Sequence, residues 1–279
     1  MTKDIQKFAA FSDGDHGGNP AGVWIGDALP DTVAMQRIAA EVGFSETVFA
    51  TPTEDGWRVH YFSPESEVPF CGHATIALGA ALSQAHGDGL FHLTLNNAKI
   101  TVEGQRQGSL IAAALQSPAT HSAAVSTTLL ADALALFGYA ENDIDDRIPP
   151  AIAHAGANHL VIALNSREKL SAMRYNLADG RSLMHQAGLA TIVLAFAETP
   201  QLFHARNPFA SGGVYEDPAT GAAAAALAGY LRDIAWPHGG AIDIIQGEDM
   251  GHGSRLHADI PAAIGSTIRV SGTVRLMDV

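Results

Sequence analysis

The chain has a single cysteine, no long apolar run and few basic residues. One cysteine cannot form an internal disulfide, so nothing in the sequence requires an oxidising compartment. The 29 acidic residues outnumber the 16 Lys and Arg residues, and the formal net charge of −13 argues against nucleic acid or an anionic membrane as the main partner. No apolar stretch approaches the ~18 residues of a membrane span, and the polar N-terminus is unlike a signal peptide. We therefore expect a cytoplasmic protein.

The composition does provide enough apolar residues for a hydrophobic core. Apolar residues make up 47% of the 279 residues and charged residues only 16%, which is typical of a globular protein. This length suits one large or two medium domains. No low-complexity linker interrupts the sequence, but the pattern of strands and helices restarts after Ser117 and Pro118. The sequence therefore predicts a domain boundary near residue 117.

The spacing of apolar residues predicts a mixed fold of strands and helices. The segment "DTVAMQRIAAEVG" is predicted to form a helix with Asp31 as its N-cap and Gly43 as its left-handed end. Three strand candidates, "LFHLTL", "KITVEG" and "SLIAAAL", then follow one another closely. Such clustering favours an antiparallel or mixed sheet over a regular alternation of strand and helix.

Two Ala-rich helices, each opened by a loop that contains Gly or Pro, give the two halves a weak similarity. Aligning Cys71 with Asp217 places Gly72 opposite Pro218 and brings both helices into register. Internal duplication and a chance match of two Ala-rich helices both remain open on this pairing alone. The start of a helix exposes unpaired backbone N–H groups and a partial positive charge, which favours a bound carboxylate or phosphate.

Four ordered motifs, "GGNPAGV", "FSETVF", "FSPESEVPFCGHAT" and "EDPATGAAAAAL", resemble those of the phenazine-biosynthesis PhzF-like family over essentially the whole chain. The resemblance implies an α+β fold like that of diaminopimelate epimerase. Two similar, pseudo-twofold-related domains would each wrap a curled mixed or antiparallel sheet around a central helix. The expected domains are residues 1–117, joined by a C-terminal strand over 267–279, and residues 118–266, with the site in the cleft between them.

The same resemblance implies the residues of the site. Glu46 matches the catalytic acid/base of the family, and His73 and Asp217 match residues that position the substrate and relay protons. Asp217 could equally be a plain helix cap. The motifs also supply candidate substrate contacts, which are Asn19, Cys71, Gly72, Gly221 and Ala222.

The chain departs from the family pattern at Ala222, where the phenazine enzyme carries a serine that helps to hold its substrate. The phenazine substrate itself is therefore not implied. A second cysteine is also missing, so a racemase or epimerase that uses two thiols is excluded by counting. Neither a G-x-G-x-x-G fingerprint nor an H-E-x-x-H motif is present, and the sequence indicates no nucleotide, cofactor or metal requirement.

These observations predict a cofactor-independent isomerase that moves a proton between carbons of a small carboxylic acid, with Glu46 as general acid/base. The resemblance also implies a homodimer. Two alternatives remain, a hydrolase or lyase acting on a small acid, and a non-catalytic binding or interaction protein on the same fold. Transfer of solvent deuterium to a substrate carbon without net bond cleavage would distinguish the isomerase from both alternatives.

Overall fold

A computed structural model describes residues 5–108 and 110–277. Ser109, the first residue of the predicted strand "SLIAAAL", lies outside the described residues, as do both extreme ends of the predicted first domain. The chain divides into two compact units. Unit 1 comprises Met1–Gln116 with Ser271–Val279, and unit 2 comprises Ser117–Val270.

Unit 1 is built on a mixed sheet. Its strands are β1 (Gln6–Ser12), β2 (Asn19–Ile25), β3 (Glu46–Thr53), β4 (Gly56–Phe62), β5 (Glu67–Val68), β6 (Gly89–Thr94), β7 (Lys99–Gln107) and β8 (Leu110–Gln116), joined by the last strand of the chain, β16 (Arg269–Leu276). The order runs β1-β2-β3-β4-β6-β7-β8, with β5 beside β4 and β16 antiparallel to β1. The pairs β2–β3 and β4–β6 are parallel, and this mixture agrees with the clustering of strands in the sequence.

The described residues of unit 1 include two helices. Helix α1 (Thr32–Val42) begins after Asp31, whose Oδ1 accepts from the Ala34 N–H at 2.8 Å, and ends at Gly43 in the left-handed conformation. Both predicted caps are therefore confirmed. Helix α2 (Gly72–His86) is buried on all sides from His73 to Ser83 and packs against β1, β2, β3, β7 and β8.

Small residues explain how the sheet closes so tightly on α2. A Cβ atom on Gly104 of β7 would lie 2.3 Å from the Gly79 carbonyl oxygen of the helix, and a Cβ on Gly79 would lie 2.5 Å from Val102. Glycine at both positions removes this overlap. A helix that is apolar all around is stable only when it is buried, so the composition of α2 specifies its central place.

The strands of unit 2 also pair in both parallel and antiparallel fashion. Its strands, in the order β15-β14-β13-β12-β11-β10-β9, are β9 (His121–Ala124), β10 (Ala151–His154), β11 (Asn158–Ala163), β12 (Thr191–Ala197), β13 (Leu202–Arg206), β14 (Ala241–Gln246) and β15 (Ser254–Asp259). The pairs β11–β12 and β13–β14 are parallel. The short strands β9 and β10 were not predicted, because four residues are too few to show an alternating pattern.

Four helices complete unit 2: α3 (Thr127–Phe137), α4 (Arg167–Ser171), α5 (Leu177–Ala187) and α6 (Gly221–Asp233). Helix α6 is buried from Ala223 to Arg232 and packs against β9, β10, β11 and β15. A Cβ on its Gly229 would lie 2.6 Å from Thr120, so a small residue is again needed. Each unit thus wraps a mixed sheet around a small-residue helix, which confirms the predicted α+β class. No helix in the described part of the chain has the length and apolar character needed to cross a membrane.

Candidate active site

The start of α2 in unit 1 is held by a short series of buried hydrogen bonds. Cys71 is the N-cap residue and has extended backbone angles. The Thr75 hydroxyl donates to the Cys71 carbonyl oxygen at 2.7 Å, and the Tyr61 hydroxyl lies 2.7 Å from Thr75 Oγ1. Because the Thr75 hydrogen is directed at the carbonyl, Tyr61 must be the donor in the second contact. Burial raises the pKa of Tyr61 well above its ordinary value, so this hydroxyl keeps its proton.

Glu46 and His73 meet beside this helix start. Glu46 is the first residue of β3, and its carboxyl Oε2 lies 3.3 Å from Nε2 of His73. The side chains are only 13% and 6% exposed, respectively. Ser45 Oγ lies 3.4 Å from the same nitrogen. The loop between α1 and β3 therefore delivers a carboxyl and a hydroxyl to one edge of the imidazole.

Cys71 also contacts the imidazole, with its Sγ 3.9 Å from Nε2 and closer still to Nδ1. Its Sγ lies 3.3 Å from His73 Nδ1 and is buried. The thiol can donate to an unprotonated Nδ1, and the Glu46 carboxyl lies within ion-pair distance of Nε2. Thiol, imidazole and carboxyl then form a continuous set of groups that can each take or release a proton. One ligand atom from each of the three residues lies within 4.8 Å of the others, so the set could also hold a divalent metal ion such as zinc.

In unit 2 the predicted residue Asp217 lies in the loop before α6. It is buried, and its Oδ2 accepts from the Thr220 hydroxyl at 2.5 Å. Gln246 on β14 donates from Nε2 to the Asp217 carbonyl oxygen at 2.6 Å and accepts at Oε1 from the Thr220 N–H at 3.3 Å. The N-cap of α6 is Thr220. The alternative that Asp217 is a plain helix cap is therefore wrong.

The remaining predicted substrate contacts take the following places. Gly72 is the first residue of α2, while Gly221 and Ala222 are the first two of α6. Asn19 is buried at the start of β2, two residues before Ala21, which pairs with Glu46 on the neighbouring strand. In unit 1 the structure thus brings Glu46, Cys71 and His73 together, and in unit 2 it holds Asp217 against the start of α6.

Several residues of these clusters were not predicted from the sequence. Thr75 could have been found, because a threonine four residues after a helix start can donate to the carbonyl at i−4. Ser45 directly precedes Glu46 within the motif, so it too could have been predicted. Tyr61 and Gln246 carry no local signal, because they come from β4 and β14 and depend on how those strands are placed.

Comparison with known proteins extends the sequence resemblance. A family model described as phenazine biosynthesis-like protein (PhzC-PhzF) matches residues 8–277. A trans-2,3-dihydro-3-hydroxyanthranilate isomerase from Pseudomonas aeruginosa is 32% identical over 270 residues, which cover 94% of this chain and 93% of that relative. The sequence similarity to this isomerase therefore extends over both units.

Solved structures show the same fold. A PhzF-family phenazine biosynthesis protein from Bacillus anthracis superposes with a TM-score of 0.85 at 21% identity and covers 98% of this chain and 96% of its own. A protein described as a probable proline racemase from Agrobacterium radiobacter has a TM-score of 0.66 at 9% identity, with 98% of this chain and 90% of its own covered. At these identities the likeness concerns the fold alone, which is that of the racemase and epimerase type.

Proposed function

Because the chain belongs to the PhzC-PhzF family of phenazine biosynthesis-like proteins and is an isomerase by its named relatives, we propose that Glu46 is its general acid/base. In this proposal Glu46 takes a proton from one carbon of a small carboxylic acid and returns it to another carbon. Neither a bond to a leaving group nor an oxidation is involved, so the reaction balances as a proton shift within the substrate.

The contact between Glu46 and His73 carries the proposal. A carboxyl group that shuttles a proton must be shielded from water and held in one orientation. The Glu46 side chain is 13% exposed and lies 3.3 Å from the imidazole, which itself contacts Cys71. His73 can therefore orient Glu46 and adjust to its change of charge during each half of the proton transfer. Negative charge that develops on the substrate would be stabilised by the free N–H groups at the start of α2.

The proposal includes residues of unit 2. By the family resemblance, Asp217 takes part in binding the same substrate, together with the backbone at Gly221 and Ala222. A carboxylate in this role accepts a hydrogen bond from an amino or hydroxyl group. Asn19 and Gly72 are proposed substrate contacts of unit 1. A homodimer and a cytoplasmic location also remain part of the proposal, and they can be checked by sedimentation and by cell fractionation.

Solvent deuterium tests the role of Glu46. The first substrate to offer is trans-2,3-dihydro-3-hydroxyanthranilate, on which the named relative acts, followed by other small unsaturated carboxylic acids. We expect the parent protein to place deuterium on a substrate carbon without cleaving a bond. Glu46→Gln should bind the same compound but lose at least about 100-fold in rate, the usual contribution of general acid/base catalysis.

The matched control is Glu54→Gln, the same substitution at an exposed glutamate of unit 1, which should keep the parent rate. Cleavage of the substrate would favour a hydrolase or lyase. Binding without any exchange in the parent would favour a non-catalytic protein. A Glu46→Gln variant that exchanges deuterium at the parent rate would refute the assignment of the acid/base.

A further inference from the structure

A row of polar side chains connects a buried histidine of unit 2 to Asp217. His159 Nδ1 on β11 lies 2.7 Å from Thr191 Oγ1 on β12, its direct partner in the parallel strand register. The Thr191 hydroxyl donates to Asn207 Oδ1 at 3.1 Å. Asn207 Nδ2 donates to Thr220 Oγ1 at 2.5 Å, and Thr220 donates to Asp217 Oδ2 at 2.5 Å. We call these five residues the Asp217 network.

Four members of the network are buried, and the fifth, Thr220, is half-buried. His159 and Asn207 are 1% exposed, Thr191 is 2% exposed and Asp217 is 7% exposed. Burying a polar group costs free energy unless it is hydrogen-bonded, so a buried row of this length persists only if its members satisfy one another. The row is therefore a built feature of the unit 2 core rather than a set of surface contacts.

In every hydrogen bond of the network, the donor lies on the side of His159 and the acceptor on the side of Asp217. Thr220 donates its hydroxyl hydrogen to Asp217 Oδ2. Thr220 Oγ1 then accepts from the amide nitrogen of Asn207, which leaves the Asn207 oxygen to accept from Thr191. Thr191 Oγ1 accordingly accepts from Nδ1–H of His159. The acceptor oxygen of Asp217 thus fixes the hydrogen position on every member of the row.

His159, at the far end of the network from Asp217, does not titrate near neutral pH. Burial lowers the pKa of His159 to about 3, so the ring is neutral at ordinary pH. Its Nε2 has no hydrogen-bond partner within residues 5–108 and 110–277, as an unprotonated nitrogen would allow. Asn207 also interrupts any proton path, because a carboxamide does not pass a proton on as a hydroxyl or imidazole does. The network therefore orients Asp217 and does not supply it with protons.

We propose that Asn207 is a positioning residue that, with Thr220 and Thr191, holds the Asp217 carboxylate in one orientation as a hydrogen-bond acceptor. The inference rests on the proposed function, which places Asp217 among the substrate contacts. The Asn207 carbonyl also accepts from the Asp217 backbone N–H at 3.1 Å. In addition, a two-pronged ion pair joins the preceding residues, Arg206 and Glu216. Asn207 therefore contacts Asp217 directly through its backbone and acts on the carboxyl through Thr220 with its side chain.

Asn207→Asp is the sharpest substitution. It preserves the size of the side chain, the backbone contact and the acceptor for Thr191, but removes the amide donor to Thr220. The Thr220 hydroxyl can then turn toward the new carboxylate and release Asp217. We expect kcat/KM for deuterium exchange to fall about 10- to 100-fold, the effect of losing a hydrogen bond to a charged group.

Asn165→Asp is the matched control. It removes a side-chain amide donor in the same unit, one that serves the carbonyl oxygens of Asn142 and Ile144 at the surface. We expect it to leave the exchange rate unchanged even if it lowers the melting temperature. A loss of activity in both variants that follows their loss of stability would overturn the proposal in favour of a purely structural role.

Thr191 gives a second test should Asn207→Asp fail to fold. Thr191→Val removes a hydroxyl that is three hydrogen bonds away from Asp217, and we expect a loss of about 3- to 10-fold in kcat/KM, smaller than at Asn207 because the neutral contact is weaker. Thr191→Ser restores the hydroxyl and should restore the rate. A serine variant as impaired as the valine variant would contradict the network.

Two further measurements do not depend on any substrate. Nitrogen-15 NMR of the parent should show that His159 is protonated at Nδ1 and unprotonated at Nε2. The opposite tautomer would contradict the proposed hydrogen bond from His159 to Thr191. A crystal structure of Asn207→Asp, or of Thr191→Val, should show Asp217 rotated or in two conformers, and an unchanged carboxylate in both would refute the positioning role. If Glu46→Gln is inactive while Asn207→Asp and Thr191→Val match the parent, the inference fails and the proposed function stands.

Discussion

The starts of α2 and α6 look alike in sequence but carry different chemistry. At α2, three groups that can each exchange a proton lie together, with Glu46 and Cys71 both in contact with His73. At α6, the carboxyl of Asp217 accepts from Thr220, whose hydroxyl accepts from Asn207, and neither of these two side chains ionises near neutral pH. The two helix starts therefore differ in the hydrogen-bonding groups that meet there.

The difference shows that a helix of small residues preceded by a loop does not by itself specify the chemistry at its start. Its exposed N–H groups attract negative charge in both units. Which reaction step each helix start can serve depends on the side chains that neighbouring strands bring to it. In unit 1 these are Ser45 and Tyr61, and in unit 2 they are Thr191 and Gln246.

The largest expected effect removes the ionisable centre of unit 1. His73→Gln keeps a polar side chain but cannot carry a proton between Cys71 and Glu46. We expect the rate of deuterium exchange to fall about 100-fold, measured by NMR with the substrate that the parent accepts. The control His92→Gln changes an exposed histidine of β6 and should have no effect. A fully active His73→Gln would remove the chemical distinction between the two helix starts.

The next effect concerns the histidine of unit 2 and the pH dependence of stability. The pKa of His159 falls from an ordinary value of 6.5 to about 3 in the folded chain because the ring is buried. Between these values the unfolded chain binds a proton that the folded chain does not. The free energy of unfolding should therefore fall as the pH drops from 6.5 toward 3, by at most about 1.4 kcal/mol per pH unit from this group.

Denaturant unfolding of the parent and of His159→Gln across this pH range isolates that contribution. The glutamine can still donate to Thr191 but does not titrate, so the difference in stability between the two proteins should shrink at low pH. His92→Gln again serves as the control and should follow the parent. Parallel curves for the parent and His159→Gln would mean that His159 takes up its proton in the folded state.

A smaller effect tests how firmly the α2 start is held. Tyr61→Phe removes the donor to Thr75, whose hydroxyl supports the Cys71 carbonyl. We expect the free energy of unfolding to fall by about 1–2 kcal/mol, the usual cost of removing one partner of a buried hydrogen bond. Tyr139→Phe, which loses an exposed contact to the Lys169 carbonyl, should cost less than about 0.5 kcal/mol. Equal losses at both positions would show that the α2 start is no better secured than the surface.

The smallest expected change sharpens the comparison at α6. Ala222 stands where the phenazine enzyme carries a serine. Ala222→Ser adds one hydroxyl at the second residue of the helix, and we expect KM for trans-2,3-dihydro-3-hydroxyanthranilate to fall by roughly 3- to 10-fold, the effect of one neutral hydrogen bond. An unchanged KM would indicate that the start of α6 does not contact this compound.

Much of the fold was predictable because its signals are local. Asp31 and Gly43 were predicted as caps of α1, and the structure confirms both. The two Ala-rich segments were predicted as helices, and α2 and α6 lie there. The order of the motifs predicted the family, which the match over residues 8–277 confirms. The roles of Glu46, His73 and Asp217 remain predictions.

The sequence by itself determined the helix ends, the need for burial around α2 and α6, the family and the exclusion of a two-thiol mechanism. Each of these follows from neighbouring residues or from a count. Only the tertiary structure decided that Ser45 and Tyr61 contact residues at the start of α2. It also decided that His159, Thr191 and Asn207 are linked by hydrogen bonds toward Asp217. The physical reason is that hydrogen bonds between distant positions depend on which strands pair and in what register, and no short segment encodes that pairing.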